Sequence, residues 1–249
     1  MTEPDHSDFH ANSAIGIITY DFFHLKTEQV VHRLLRQNLR KIKIIAFPFK
    51  ERAERSVLIP HRPNQFDAIR TEDLAKANGL GFQRYDGKLP LVDCDLYLVT
   101  GAGILPPEIV RDRQILNVHP GIIPSARGLD AFKWSIYDGV ELGVTLHKID
   151  ENVDQGQIVS IVKTPIYEED NLLTLSRRHY ELEIEVLSNF SRYLSNSSFE
   201  NYPLREARRR MPMDVEAQMV RRFDEYKEKF AKRSVIKNDR FRPYLVERG

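Results

Sequence analysis

Only one cysteine, Cys94, occurs among the 249 residues. A single thiol excludes an internal disulfide and a multi-cysteine zinc site, and it fits a reducing compartment. Charge of one sign is also missing: 37 Lys and Arg face 36 Asp and Glu, for a formal net charge of +1. A chain so balanced has no bulk electrostatic attraction to nucleic acid or to an anionic membrane. No run of about eighteen apolar residues is present, so no transmembrane helix is expected. The opening MTEPDHSDFHAN lacks both the basic and the apolar stretch of a secretory signal. Residues 1–12 are expected to form a disordered leader, and the chain is expected to be cytoplasmic. No internal repeat or low-complexity linker interrupts it.

Hydrophobic residues make up 41% of the chain, enough for a sizeable core. Residues 14–20 form a short apolar run, the mark of a buried strand. Leu25, Val30, Val31, Leu34 and Leu35 then recur at helical spacing over 24–38, and 42–47 read as a second buried strand. Strand, helix, strand predicts a parallel sheet with crossover helices. Residues 48–66 read as an ordered loop, followed by a helix over 67–78 with Gly79 at its C-terminal cap. Short strands are predicted over 81–85, 95–100 and 115–118, with a short helix opened by Pro106-Pro107. An amphipathic helix over 129–139, two longer strands over 142–149 and 157–166, and a long helix over 171–194 follow. Residues 203–249 hold 14 Lys and Arg against 8 Asp and Glu, a net of +6 that leaves the rest at −5. The expected division is a leader over 1–12, a catalytic α/β domain over 13–196 and a charged helical extension over 197–249.

The chemistry concentrates between Asp95 and Val159. Asn117 and His119 stand two apart at the end of a short apolar strand, so they point to one face. In open parallel sheets, ligands bind at the carboxyl ends of the strands. An amide and an imidazole placed there can polarise a carbonyl and move a proton. Asp154 lies in the loop Val153-Asp154-Gln155-Gly156 before the next strand, and a carboxylate beside His119 would orient its ring. Such a set, without a nucleophilic Ser or Cys, fits direct acyl transfer to an external amine. Cys94 reads as core. Taken singly, Asn117 is most often a cap, His119 a structural hydrogen bonder and Asp154 a turn former.

Asn117-Val118-His119, then Pro124-Ser125-Ala126-Arg127-Gly128, then Gly143-Val144-Thr145, then Asp154-Gln155-Gly156 come in a distinctive order. This order resembles the formyltransferases that use 10-formyltetrahydrofolate, over about 65 continuous residues. The resemblance implies a Rossmann-like formyltransferase fold, a mostly parallel sheet flanked by helices, with a short helical C-terminal extension. It also implies 10-formyltetrahydrofolate as formyl donor, and no metal. It assigns Asn117 to the developing oxyanion, His119 to the formyl group or the amine proton, and Asp154 to positioning His119 and a water. The pterin would rest against Thr100, Gly101, Ala102, Gly103, Ile104 and Leu105 and against Ile149, Asp150 and Val153.

For the acceptor, the contacts expected are Tyr20 after the first strand, His61 and Arg62 in the polar loop, and Arg127. Arg127-Gly128 reads equally as a turn with a solvated cation. Trp134 reads as core, His147 as packing or support behind the site, and Arg208-Arg209-Arg210 as a solvated face. The first strand is not followed by glycine, unlike the phosphate loop of glycinamide ribonucleotide enzymes. The residues after Ile166 read as helical, unlike the β-rich tRNA-gripping domain of methionyl-tRNA enzymes. By elimination, and by the resemblance of the short helical C-terminal extension to the sugar N-formyltransferases, the acceptor is expected to be the amine of a nucleotide-linked amino sugar used in surface polysaccharide. The alternatives are another amine, or a non-catalytic binding protein on the same scaffold. The near-neutral charge argues against a nucleic-acid partner, and a homodimer through the 171–194 helix is a further expectation.

Overall fold

The computed structural model describes residues 13–51, 56–87, 90–149, 157–194 and 206–232. The leader at 1–12 and parts of the C-terminal segment therefore lie outside the described residues. The elements run β1 (Ile15–Tyr20), α1 (Leu25–Arg36), β2 (Ile42–Phe47), α2 (Thr71–Ala77), β3 (Gly81–Arg84) and β4 (Leu96–Val99). Then come α3 (Pro107–Val110), β5 (Ile115–His119), α4 (Ala131–Tyr137), β6 (Gly143–Lys148) and β7 (Ile158–Lys163). Four helices follow: α5 (Leu172–Ser188), α6 (Phe190–Leu194), α7 (Met213–Arg221) and α8 (Phe223–Phe230).

The strands form one seven-stranded sheet in the order β3-β2-β1-β4-β5-β6-β7. The first five are mutually parallel, and β6 runs antiparallel between β5 and β7. The expected Rossmann-like sheet with a terminal antiparallel pair is what the chain builds. The chain leaves β1 toward β2 on one side and later returns to β4 on the other. That reversal opens a crevice at the carboxyl ends of β1 and β4.

Both sheet faces are covered. Ile17, Ile44, Leu98, Leu116 and Leu146 pack under α1 and α5. Ile18, Ile45, Tyr97, Val99 and Ile115 pack under α3 and its neighbouring loops. Tyr97 lies across β1 because Gly16 has no side chain there; a Cβ would sit 2.4 Å from its ring. A third cluster joins Phe132, Trp134 and Ile136 of α4 to Met219 of α7 and to Phe223 and Tyr226 of α8.

Two helix boundaries differ from expectation. The helix expected over 67–78 begins only at Thr71, because the amide of Thr71 bonds back to the Phe22 carbonyl and its hydroxyl donates to Tyr20 O. Gly79 does close it, at φ +63°. The helix expected over 171–194 breaks at Asn189 into α5 and α6. Asn171 starts it with a reciprocal capping box to Thr174. The apolar face of α5 is covered by the sheet and α1.

Candidate active site

β5 delivers the first two groups. Leu116 and Val118 point into the core beneath α1 and α5, so Asn117 and His119 turn to the opposite face. The register sets Asn117 between Val99 of β4 and His147 of β6. Asn117 is half-buried and His119 is buried. Asn117 Nδ2 lies 3.2 Å from His147 Nε2. An amide nitrogen only donates, so His147 Nε2 accepts and its proton sits on Nδ1. His147, buried on β6, thus meets the Asn117 amide directly.

The turn after β5 folds back onto His119. Thr145 of β6 donates its hydroxyl to Gly121 O at 2.7 Å and accepts from Ile123 N at 3.0 Å. The turn thereby brings the Ala126 carbonyl 2.8 Å from His119 Nε2. A carbonyl only accepts, so Nε2 carries the proton. Gly121 makes the approach possible, since a Cβ there would lie 2.4 Å from the Ala126 oxygen. Arg127 is 6% exposed, which corrects the reading of a solvated cation. Its burial follows from the backbone of Arg208, which covers this turn: Arg208 N donates to Arg127 O, and Leu129 N donates to Arg208 O.

The segment Thr100–Leu105 follows β4 at the mouth of the crevice. Thr100 is buried, its hydroxyl 2.8 Å from Thr27 Oγ1 and 3.2 Å from Ile18 O. Gly101 presses against His24, where a Cβ would lie 2.6 Å from the ring. Beyond it the segment opens: nothing lies within 4 Å of a Cβ built on Gly103, and Ile104 is 84% exposed. An open backbone stretch edged by exposed apolar surface fits a flat ring lying against it. Ile149 borders the same side, its amide bonded to Ile115 O. Asp150, Val153 and Asp154 lie outside the described residues.

Where α1, α5 and the 57–62 loop meet lies a charged cluster of which sequence reasoning found only Arg62. Glu183 of α5 accepts from Lys26 Nζ of α1 at 2.5 Å and from Arg62 Nη2 at 2.5 Å. Lys26 and Glu183 are buried, and the Arg62 side chain keeps 33% exposure. Burial opposes ionisation of Glu183, but Arg62 and Lys26 outweigh it and hold the carboxyl well below its ordinary range. His61 stacks parallel to Phe132 at 5.9 Å. Burial, with the Arg62 and Lys133 cations, pushes its pKa down to about 3. His179 donates Nε2–H to Pro120 O at 3.3 Å and accepts from the Thr164 hydroxyl at 2.7 Å. Burial lowers its pKa to about 4. Tyr20 ends β1 with its ring edge-on to His24 and Phe49. Lys26 and Glu183 did carry a signal. Lys26, Val30 and Leu34 share one helical stripe, as do Leu175, His179, Glu183 and Leu187. A charge on a buried stripe requires a partner.

His24 occupies the start of α1. Its Nδ1 accepts from the Thr27 amide at 3.3 Å and lies 2.8 Å from Thr27 Oγ1. The Thr27 hydroxyl also meets that of Thr19 at 2.5 Å. The helix end at which a phosphate would be cradled is therefore capped by an imidazole.

A family model described as "Formyl transferase" matches residues 28–190, a span of more than half the chain that includes Asn117 and His119. The methionyl-tRNA formyltransferase of Prochlorococcus marinus is 28% identical over 177 residues, covering 69% of this chain and 50% of its own. The dTDP-4-amino-4,6-dideoxyglucose formyltransferase of Mycobacterium bovis is 32% identical over 120 residues, covering 48% of this chain and 50% of its own. The chain spans about half the length of the curated relatives it matches. The solved structure of a 4-N formyltransferase from Francisella tularensis superposes with a TM-score of 0.55 at 16% identity, covering 85% of this chain and 87% of that one. At that identity the likeness speaks for the fold alone. With the Asn117–His119 pair at the carboxyl edge of the sheet, the fold shared and most of the chain matched, this protein belongs to the formyl transferase family.

Proposed function

We propose that this protein transfers a formyl group from 10-formyltetrahydrofolate to the primary amine of a nucleotide-linked amino sugar. The observation that carries the reading is the Asn117–His119 pair, turned to one face of β5, oriented by His147 and by Ala126 O. When bound, the folate supplies the formyl carbon against the open Gly101–Leu105 stretch. Asn117 gives one N–H to His147 and directs the other at the formyl oxygen as negative charge builds there. His119, fixed by the Ala126 carbonyl, stands two residues on at the same face to handle the amine proton. Asp154 is assigned, by resemblance, to positioning His119.

The choice of acceptor rests on the start of α1. His24 takes the Thr27 amide that a phosphate loop would offer, and Phe22 and Phe23 follow β1 in place of glycines. This disfavours a glycinamide ribonucleotide reading. Arg62, partly exposed beside the crevice, and Tyr20 are the groups assigned to the sugar nucleotide. Cytoplasmic location and a role in surface polysaccharide synthesis belong to the same proposal. Among the described residues, no helix is long and apolar enough to cross a membrane.

The test is a tetrahydrofolate-release assay with dTDP-4-amino-4,6-dideoxyglucose and other nucleotide-linked amino sugars, with glycinamide ribonucleotide and methionyl-tRNA alongside. Turnover with a sugar that falls about 100-fold to 1000-fold in Asn117→Ala is the expected result. Turnover with tRNA or the ribonucleotide alone would overturn the acceptor. Failure to bind 10-formyltetrahydrofolate would overturn the enzyme.

A further inference from the structure

Residues 206–232 do more than cover α4. The stretch before α7 lies against the turn that follows β5. Arg208 pairs with Gly128 in a parallel bridge, through Arg208 N to Arg127 O at 2.9 Å and Leu129 N to Arg208 O at 2.9 Å. Gly128 has φ +90°, and a Cβ there would lie 2.2 Å from Arg208 O, so this turn is shaped to receive that backbone. Asp130 Oδ2 accepts from Met211 N at 3.0 Å, and Trp134 Nε1 donates to Arg209 O at 2.8 Å. The turn so held is the one whose Ala126 carbonyl fixes His119.

α7 reaches the second loop. Glu216 Oε1 accepts from Lys133 Nζ of α4 at 2.5 Å and from Ile59 N at 2.8 Å. Both charged side chains are 1% exposed. A buried ion pair contributes little net stability over apolar side chains of the same volume. An apolar side chain, however, has no oxygen for Ile59. The loop around Ile59 belongs to neither sheet nor helix, and its neighbours Val57 and Leu58 are each 45% exposed. Two residues after Ile59 comes His61, stacked on Phe132, and then Arg62, bonded to Glu183. One segment thus grips the two loops that flank the crevice, one bearing on His119 and the other carrying Arg62.

We propose that residues 206–232 act as a strap that completes the acceptor site, with Glu216 as the positioning residue that holds the His61–Arg62 loop in place. The acceptor part of this inference rests on the formyl-transfer reading above; the mechanical part does not.

The test compares the full-length wild type with Lys133→Met/Glu216→Met, which keeps the packing but removes the oxygen, and with Lys133→Met/Glu216→Gln, which also removes both charges but keeps an oxygen for Ile59. Three readouts are taken. Amide hydrogen exchange over 57–62 reads the loop. Emission of Trp134, the one tryptophan, reads the docking of Arg208 and Arg209. Steady-state kinetics with the amino sugar that turns over reads the site. In Lys133→Met/Glu216→Met, exchange is expected to rise at least 10-fold with Trp134 emission unchanged. KM for the sugar rises about 10-fold, while kcat and the folate KM stay within about 3-fold. Lys133→Met/Glu216→Gln stays near wild type in all three. Unchanged exchange in Lys133→Met/Glu216→Met overturns the strap, and so does faster exchange with an unchanged sugar KM. If no amine is formylated by the wild type, the formyl-transfer reading fails, and the exchange result alone decides whether Glu216 holds the loop.

Discussion

Mild acid should destabilise this protein through three histidines, His24, His61 and His179, that are held neutral by burial. His24 Nδ1 caps α1 by accepting the Thr27 amide, a role that protonation abolishes. Burial, assisted by the Lys26 and Arg62 cations and opposed by Glu183, lowers its pKa from 6.5 to about 4. His179 accepts from Thr164 and donates to Pro120 O, which also uses the neutral ring. Burial, opposed by Glu183 and the Pro120 carbonyl and assisted by Arg62 and His119, lowers its pKa from 6.5 to about 4. Because the folded pKa lies below the unfolded one, the stabilisation is complete above pH 6.5 and is lost as pH falls toward 4. His61, whose pKa burial lowers to about 3, adds a third ring; at one pKa unit per 1.36 kcal/mol, each ring loses about 2 kcal/mol by pH 5, for a total of about 6 kcal/mol. Against a typical total of about 5–15 kcal/mol that is a large fraction. Urea unfolding at pH 7.5, 6 and 5, read by circular dichroism, would measure it. Glu183 remains ionised across this window, since Arg62 and Lys26 hold it down, so it does not mask the effect. His179→Gln should remove about a third of the slope. Equal stability at pH 5 and pH 7.5, within about 1 kcal/mol, would refute the assignment of neutral, buried rings.

Other expectations follow from single contacts. Glu183→Ala leaves Lys26 buried without its anion, and loss of about 3–5 kcal/mol is expected, read as a drop in Tm on the order of 10 °C. Gly101→Ala drives a methyl to within 2.6 Å of the His24 ring, and overpacking of about 1–3 kcal/mol should appear in thermal melts; an unchanged Tm would argue that His24 moves freely. The Cys94 thiol is raised to about 11 by burial and by Asp93 and Asp95, against Lys43. Its thiolate fraction at pH 8 is then about 100-fold below that of a thiol at the reference value, and alkylation by iodoacetamide should be slower to match.

Much of the fold was legible locally. Apolar runs such as Ile15–Tyr20 and Leu96–Val99 are buried strands, and the order strand, helix, strand implies the parallel sheet that forms. Gly79 terminates α2 as its position suggests. The shared orientation of Asn117 and His119 needed nothing beyond the two-residue period of a strand. Their place at the sheet's carboxyl edge follows from the topology that alternation of elements predicts. These are short-range properties, set by backbone geometry and by which residues can enter water.

What the tertiary structure alone decided are the partners. Lys26 meets Glu183 across 157 positions, and Lys133 meets Glu216 across 83. Each charge is visible on a buried stripe, but nothing near it in the chain names its counter-ion. Arg127 becomes buried and Arg208 becomes a clamp because the backbone of one closes on the turn of the other. Trp134, expected as core, is buried and also carries the Arg208 guanidinium 4.3 Å over its ring. Such contacts arise only once the sheet has set the helices against one another. Their energy depends on distance and burial, which a linear pattern does not contain, whereas strand period and helix stripe depend only on neighbours along the chain.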